Sequence, residues 1–481
     1  MWKYLLIGIF LFTLSFKTYA QHQEYVPDPD PAIQPRLEDW QDLKFGLLMH
    51  WGTYSQWGIV ESWSICPEDV SWAAGGRKKE FSGNYNDYVK KYEQLQTTFN
   101  PVKFNPEKWA IAAKEAGIKY LVFTTKHHDG FCMFDSRYTD YKITDSKTPF
   151  SVNPRSNVVK EVFSAFRKEN FWIGAYFSKP DWHSDYYWWR YFPAVDRNCN
   201  YSITKHPDRW QKFVGYTHNQ IDELMSDYGK IDILWLDGGW VQKKTKDQLI
   251  KELTDTCENS RWFRNPQSQD IDIAGIVKKA REKQPGLIVV DRAVPGMYQN
   301  YLTPEQEIPE NGLPYPWETC MTMATSWSYV PNDVYKPADE LIEKLVDIVS
   351  KGGNFLLNIG PGPDGELDPV AYDRLKEIGN WMKINGEAIY KTRMYKVFGE
   401  GDNIRFTQSK DGHTQYIFFF SFPKKPVTLK NLSLRKKCTI KMLGSNATLK
   451  YKILPQGVQL IIPEELEKAG KYVWVLKMVQ K

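Results

Sequence analysis

Five runs of the sequence bring ionisable side chains to places where they could do chemistry. His50 closes LLMHWG, His127 and His128 close FTTKHHDG, Asp237 closes ILWLDGG, Arg292 closes IVVDR, and Glu318 stands in PYPWETC. Asp237 is the most pointed of these: a carboxylate after Ile-Leu-Trp-Leu and before two glycines is an ion at the lip of a buried strand. Its bland alternative is a loop cap, a common use of Asp and Gly. Two acids facing one another would suit glycoside hydrolysis, in which one carboxylate attacks or stabilises the anomeric carbon and a second carboxyl protonates the leaving oxygen. Glu318 supplies a candidate for the second role. Arg292 reads as an orienting partner for a carboxylate rather than a catalyst. The pair His127 and His128 with Asp129, near His50, has a metal-binding reading with zinc or manganese. Side chains of adjacent strand residues point to opposite faces, however, so His127 and His128 cannot both be ligands without a bend, which favours hydrogen bonding in a pocket. Trp63, Trp235 and Trp240 suit a core or a sugar-stacking surface equally. There is no GxSxG run and no Cys with a His close by in sequence, so acyl transfer has little support. The run from Gly360 to Gly365 reads as a turn rather than a phosphate cradle.

The elements that must position these residues follow from the apolar pattern. Strand candidates lie at 44–52, 120–130, 172–178, 232–238, 286–292, 318–325 and 354–361. Most are near-continuous apolar runs, as parallel strands buried on both faces require. Helical patterns fall between them, one opened by Asn105-Pro106 and closed by Gly117. Seven strands with polar residues at many of their C-terminal ends favour a (β/α)8-like barrel with one weak strand over an open doubly wound sheet. From 393 the pattern changes to short strand-like runs every ~8–12 residues, which implies an all-β sandwich. The expected organisation is a signal peptide at 1–20, a barrel domain at 21–392 and a β-sandwich at 393–481, with the polar stretch 241–271 inserted on a barrel loop.

Composition excludes several classes. Lys and Arg total 63 against 58 acids, a net charge of +5, and no long basic run marks a nucleic-acid surface. The 19 Trp and 28 Tyr exceed what a core needs and suit sugar rings. Residues 1–20 carry Lys3, an apolar stretch and small residues before a cleavage site, the pattern of an export signal. The mature protein is therefore expected in the periplasm or medium, with no stable membrane insertion. The six cysteines form no CxxC pair, and free, buried thiols are expected.

The runs FGLLMHWG, FTTKHHDGF, DILWLDGG, GGNFLLNIGPGPDG and INGEAIY, in this order, resemble the α-L-fucosidases, family 29 of the glycoside hydrolases. The resemblance spans about residues 38–393. It implies a retaining exo-enzyme that removes terminal α-L-fucose from fucosylated oligosaccharides or glycoconjugates, without cofactor or metal. By motif it makes Asp237 the nucleophile and places His50, Trp63, His127, His128, Tyr176, Trp235 and Arg292 around the sugar. Ser62 separates Glu61 from Trp63, a departure from the family's Glu-Trp element. Glu318 in the WExC element is the expected acid/base, with Glu305 and Glu307 as the alternatives. An apolar niche for the fucose methyl is expected from tryptophans and from Phe134 or Tyr176.

Overall fold

The computed structural model describes residues 25–67, 83–259, 266–432, 434 and 438–480. The signal-like segment 1–20 lies outside the described residues. Seven strands make one parallel sheet: β1 (Phe45–Met49), β2 (Tyr120–Lys126), β3 (Trp172–Ser178), β4 (Ile233–Asp237), β5 (Ile288–Asp291), β6 (Glu318–Thr322) and β7 (Asn354–Ile359). Their order is β5-β4-β3-β2-β1-β7-β6. The edge strands β5 and β6 do not pair with each other. The irregular segment 298–307 fills the gap. The Asn300 N–H donates to the Val289 carbonyl on one side, and the Glu318 N–H donates to the Leu302 carbonyl on the other. Isolated bridges pair Val290 with Gln299 and Glu305 with Cys320. This segment is the weak eighth strand of the barrel, too irregular to show a strand period.

Helices on the outside connect the strands. Pro106–Glu115 begins where the Asn105 side chain accepts from the Lys108 N–H, and Val158–Lys168 buries Val158, Val159, Val162, Phe163 and Phe166 on one stripe. With helices outside and side chains inside, each strand is buried on both faces, which is why the strands read as apolar runs. Every second residue points into the barrel. Parallel pairing aligns these residues in layers: Glu318 faces Asn354, Cys320 faces Leu356, Tyr176 faces Trp235, and Ser178 faces Asp237. Gly46 is required in this interior. A Cβ there would lie 2.3 Å from the ring of Tyr120, which crosses the barrel at that level.

The expected insertion 241–271 contains a helix, Lys246–Asn259. The C-terminal part holds β8 (Thr392–Glu400), β9 (Ile404–Ser409), β10 (Thr414–Phe419), β11 (Val427–Leu429), β12 (Cys438–Met442), β13 (Lys450–Leu454), β14 (Gly457–Ile461) and β15 (Trp474–Gln480). They form a five-stranded sheet, β12-β15-β10-β9-β8, over a three-stranded one, β11-β14-β13. Along β10, Ile417 and Phe419 enter the sandwich core while Tyr416 and Phe418 join the barrel core. Along β10 the larger sheet is thus covered on both faces. Trp381 on the barrel's last helix pins the contact by donating its indole N–H to the Val473 carbonyl at 2.9 Å. Among the described residues Cys66, Cys132, Cys199, Cys320 and Cys438 are free, all but Cys438 buried. The side chain of Cys257 lies outside the described residues.

Candidate active site

The upper, C-terminal end of the barrel holds a cavity of about 600 Å³, lined among others by His50, Glu61, Trp63, His127, His128, Tyr176, Trp235, Asp237, Arg292 and Glu305. Asp237 is the last residue of β4. Its Oδ1 accepts from the Gly238 N–H at 2.8 Å and from Arg292 at 3.1 Å. Its Oδ2 accepts from the Tyr176 hydroxyl at 2.6 Å, with His128 Nε2 3.7 Å away. Burial alone would push this carboxyl up. The Arg292 guanidinium and the Tyr176 hydroxyl more than reverse that and hold it well below the usual carboxylate range. Asp237 is therefore an ionised, oriented carboxylate.

Three imidazoles face it, each steered from behind. His50 Nδ1 lies 2.7 Å from Asn358 Oδ1, while the Asn358 amide donates to the Trp327 carbonyl. The His50 proton is thereby placed on Nδ1, leaving Nε2 as an acceptor. Ser62 Oγ holds His127 Nδ1, and Ser178 Oγ holds His128 Nδ1 at 2.8 Å. Burial lowers all three histidines, His50 and His128 to about 4. They are neutral hydrogen-bonding groups at physiological pH, suited to sugar hydroxyls. Aromatic rings wall the rest. Trp63 packs edge-on to His128 at 5.3 Å and tilted on Trp240 at 5.7 Å, and Arg197 lies over both tryptophans. Trp235 stacks on Tyr176 at 5.3 Å.

Comparison with known proteins decides the family. The model of the alpha-L-fucosidase family matches residues 12–387, and that of the alpha-L-fucosidase C-terminal domain matches 400–479. The chain belongs to the α-L-fucosidase family of glycoside hydrolases. It is 30% identical to tissue alpha-L-fucosidase of Homo sapiens over 98% of this chain and 96% of that one, and 29% identical to the Macaca fascicularis protein over 99% and 96%. Among solved structures, alpha-L-fucosidase isoenzyme 1 from Paenibacillus thiaminolyticus superposes with a TM-score of 0.73 at 30% identity, covering 94% of this chain and all of that one. The Thermotoga maritima alpha-fucosidase in complex with fucose gives 0.71 at 26% identity, covering 95% and 100%.

Within this fucosidase fold the residues expected around the sugar, His50, Trp63, His127, His128, Tyr176, Trp235 and Arg292, all line the one cavity with Asp237. The expected acid/base does not. Glu318 is the first residue of β6, so it sits at the N-terminal end of the barrel, the end opposite the cavity, and is 0% exposed. Glu318 is corrected on this ground: a catalytic acid must reach the leaving oxygen and then water, and a sealed carboxyl at the barrel floor reaches neither. Glu305 occupies the right place. It lines the cavity, its side chain is 43% exposed, and the same Arg292 that binds Asp237 binds Glu305 Oε2. Glu307 is not among the lining residues. Phe134 packs against Tyr228 rather than the cavity.

The alternation argument against two adjacent histidines also fails here. Strand β2 ends at Lys126 after a register shift, so His127 and His128 stand in the turn beyond it. Both rings enter the cavity with centroids 4.3 Å apart. Ligand atoms of His127, His128 and Asp237 lie within 4.8 Å of one another, a spacing a metal could use. Arg292 on Asp237 Oδ1 places a fixed cation against that spot, which disfavours a divalent ion. Residues missed in the sequence are Arg197 and Trp327 in the wall, and Ser62, Ser178 and Asn358 behind the histidines. Ser178 ends the strand candidate 172–178, a polar strand end of the kind that marks the site; nothing in its local sequence marks Ser62.

Proposed function

We propose that this chain is an exo-acting retaining α-L-fucosidase in which Asp237 is the nucleophile and Glu305 the general acid/base. The supporting observation is a single guanidinium, Arg292, that binds both carboxyls. Carboxyls held on two prongs of one fork lie near each other, which fits the separation of about 5–5.5 Å that a retaining enzyme uses. Asp237, ionised and fixed by three donors, attacks the anomeric carbon. Glu305 at the exposed side protonates the departing glycosidic oxygen and then activates the water that hydrolyses the glycosyl-enzyme. A pocket at the end of the barrel, walled by aromatic rings, suits a terminal sugar, which is exo action. Neutral histidines that can donate or accept suit the fucose hydroxyls, and Trp63, Trp235 and Trp327 offer apolar surface to its methyl. The substrates are fucosylated oligosaccharides or glycoconjugates.

One observation favours a rival acid. Glu61 lines the cavity and burial pushes it up to about 8, so it carries a proton at neutral pH. It is 2% exposed, however, and its Oε1 is tied to the Ser328 N–H. A leaving-group test separates the two. Glu305→Ala should lose far more activity on natural fucosides than on a nitrophenyl fucoside, and azide should restore turnover with a retained α-azide read by NMR. If Glu61→Ala shows this pattern and Glu305→Ala does not, the assignment of Glu305 is wrong. The pattern of residues 1–20 further supports export, in a periplasmic or secreted form. Amino-terminal sequencing of protein from the extracellular or periplasmic fraction should start near residue 21.

A further inference from the structure

The two parts of the chain carry opposite charge. Residues 393–481 hold 17 Lys and Arg against 6 Asp and Glu, a net +11, while residues 1–392 hold 46 against 52, a net −6. The surplus is concentrated. Between Asp411 and Glu464 stand nine basic residues and no acid. The structure gathers five of them around the small sheet β11-β14-β13. Tyr451, Val458 and Leu460 turn toward the sandwich core, so the residues alternating with them face outward. Pairing sets Lys450 opposite Ile461, Lys452 opposite Gln459, and Gln459 in turn opposite Thr428. Lys450 and Lys452 thus stand on the outer face. Lys424 and Lys425 precede β11, Lys430 follows it, and all five lysines are exposed. Among the described residues none of the five has an ion pair. On the larger sheet, by contrast, Lys410 pairs with Asp42 and Lys477 with Glu387, both acids of the barrel part. One acid, Glu400, reaches the β11 edge, and its carboxylate accepts from the backbone N–H groups of Lys430 and Asn431.

Lysines on edge strands guard a sheet against pairing with another chain, and β11 and β13 are both edges. That accounts for charge but not for its sign. Acids guard an edge as well, and an ordinary solvated face mixes the two. A face of one sign gathers anions. We propose that the outer face of the sheet β11-β14-β13 is a docking site for an acidic polysaccharide, a linear glycan bearing sulfate or carboxylate groups. An extended strand of such a polymer can lie along a sheet face and meet several lysines at once. Lysine ammoniums are point charges that take an anion from many directions. Sites for single-stranded nucleic acid add stacking rings and Arg, and among the described residues the outward positions of this sheet carry neither. The choice of a glycan over another polyanion rests on the fucosidase reading, whose substrates are glycans, whereas the binding itself does not. The sandwich then holds the polymer while the cavity removes fucose from its ends.

The test is calorimetric titration of the whole protein with dextran sulfate, and with neutral dextran as the control. Dextran sulfate should bind and dextran should not. Raising salt from about 20 mM to about 200 mM should weaken binding roughly tenfold or more, because exposed charges are screened. A sandwich variant, Lys424→Gln, Lys425→Gln, Lys430→Gln, Lys450→Gln and Lys452→Gln together, should bind roughly tenfold more weakly or worse. A barrel variant removes the same charge from exposed helix positions: Lys212→Gln, Lys278→Gln, Lys279→Gln, Lys376→Gln and Lys383→Gln. It should stay within about threefold of the parent. Both should keep the parent's kcat/KM on a nitrophenyl fucoside, since none of the ten lysines lines the cavity. If the fivefold sandwich variant does not fold, Lys450→Gln with Lys452→Gln should still weaken binding about threefold. Equal weakening in the sandwich and barrel variants would reduce the effect to net charge and overturn the proposal. So would a sandwich variant that loses binding to phosphatidylserine vesicles or duplex DNA yet keeps dextran sulfate, which would make the face a membrane or nucleic-acid surface. A parent protein that turns over no fucoside overturns the functional reading, while the titrations still decide whether the sheet binds the polymer.

Discussion

Asp237 and Glu318 both point into the same barrel, one from the end of β4 and the other from the start of β6. Burial penalises the charged form of each. Asp237 nonetheless stays ionised, because a guanidinium, a hydroxyl and a backbone N–H meet it. Glu318 has one phenol on one oxygen and is neutral. Two more acids follow the same division. Asp181, equally sealed but with Lys126 Nζ at 3.0 Å, is lowered, whereas Glu61, held by the Ser328 N–H, is pushed up to about 8. Burial therefore does not assign the role of a carboxyl in this molecule. A cation within hydrogen-bond reach separates Asp237 and Asp181 from Glu318 and Glu61, but it does not suffice by itself: Asp291 is raised although Lys179 Nζ lies 2.5 Å away, so it is the cation together with further donors that keeps Asp237 ionised.

The largest break in that comparison removes the proposed nucleophile. Asp237→Ala should lower kcat by about 10³-fold or more on every fucoside, because no other group can form the glycosyl-enzyme. Retention of a tenth of the activity would exclude Asp237 from that role. Next in size is the removal of the cation. Arg292→Met should turn Asp237 into a carboxyl more like Glu318. With its main charge partner gone, burial raises its pKa. Since the ionised form attacks, the acidic limb of kcat/KM should move to higher pH, with a loss of roughly 10²-fold at neutral pH. Arg292→Lys should recover part of the loss on Asp237, but a single ammonium cannot bridge Glu305 as well. An acidic limb that stays in place in Arg292→Met would show that the guanidinium does not set the charge of Asp237.

The two ends of the barrel also differed in how readily the sequence disclosed them. Strands β1 to β7 were legible because burial on both faces leaves near-continuous apolar runs, and Asp237 was legible as the ion that ends one of them. Glu318 was taken as the acid/base from its WExC element, as the resemblance implies, without regard to which end of its strand it occupies. The direction of the chain already places it at the start of that strand, the end of the barrel away from the chemistry. Glu305 was named only as an alternative, and for a different reason. It lies on segment 298–307, which closes the barrel through isolated bridges and so has no period-two pattern to mark it as a strand. The pairing of His127 with His128 in one cavity needed the register shift near the end of β2, which no side-chain pattern reports.

The smallest expected effect concerns the neutrality of Glu318 and is read in stability rather than rate. A carboxyl pushed from an ordinary 4.5 up to about 8 in the fold favours folding when protonated. Its contribution is fully present below about pH 4.5, where both states hold the proton. It is lost as pH rises toward 8, because the unfolded chain ionises first. Glu318→Gln has no proton to lose. Thermal melts of the parent protein and the Gln variant at pH 5 and pH 8.5 should therefore converge or cross, with the parent falling a few degrees further, a difference on the order of 1–3 kcal/mol. The other shifted groups are common to both proteins and cancel in the difference. These include Glu61, which acts in the same direction, and His50 and His128, lowered to about 4, which add stability as pH rises toward 6.5. Parallel melting curves across that range would mean that Glu318 does not change its protonation between the folded and unfolded chain. The contrast with Asp237 would then need a cause other than the missing cation.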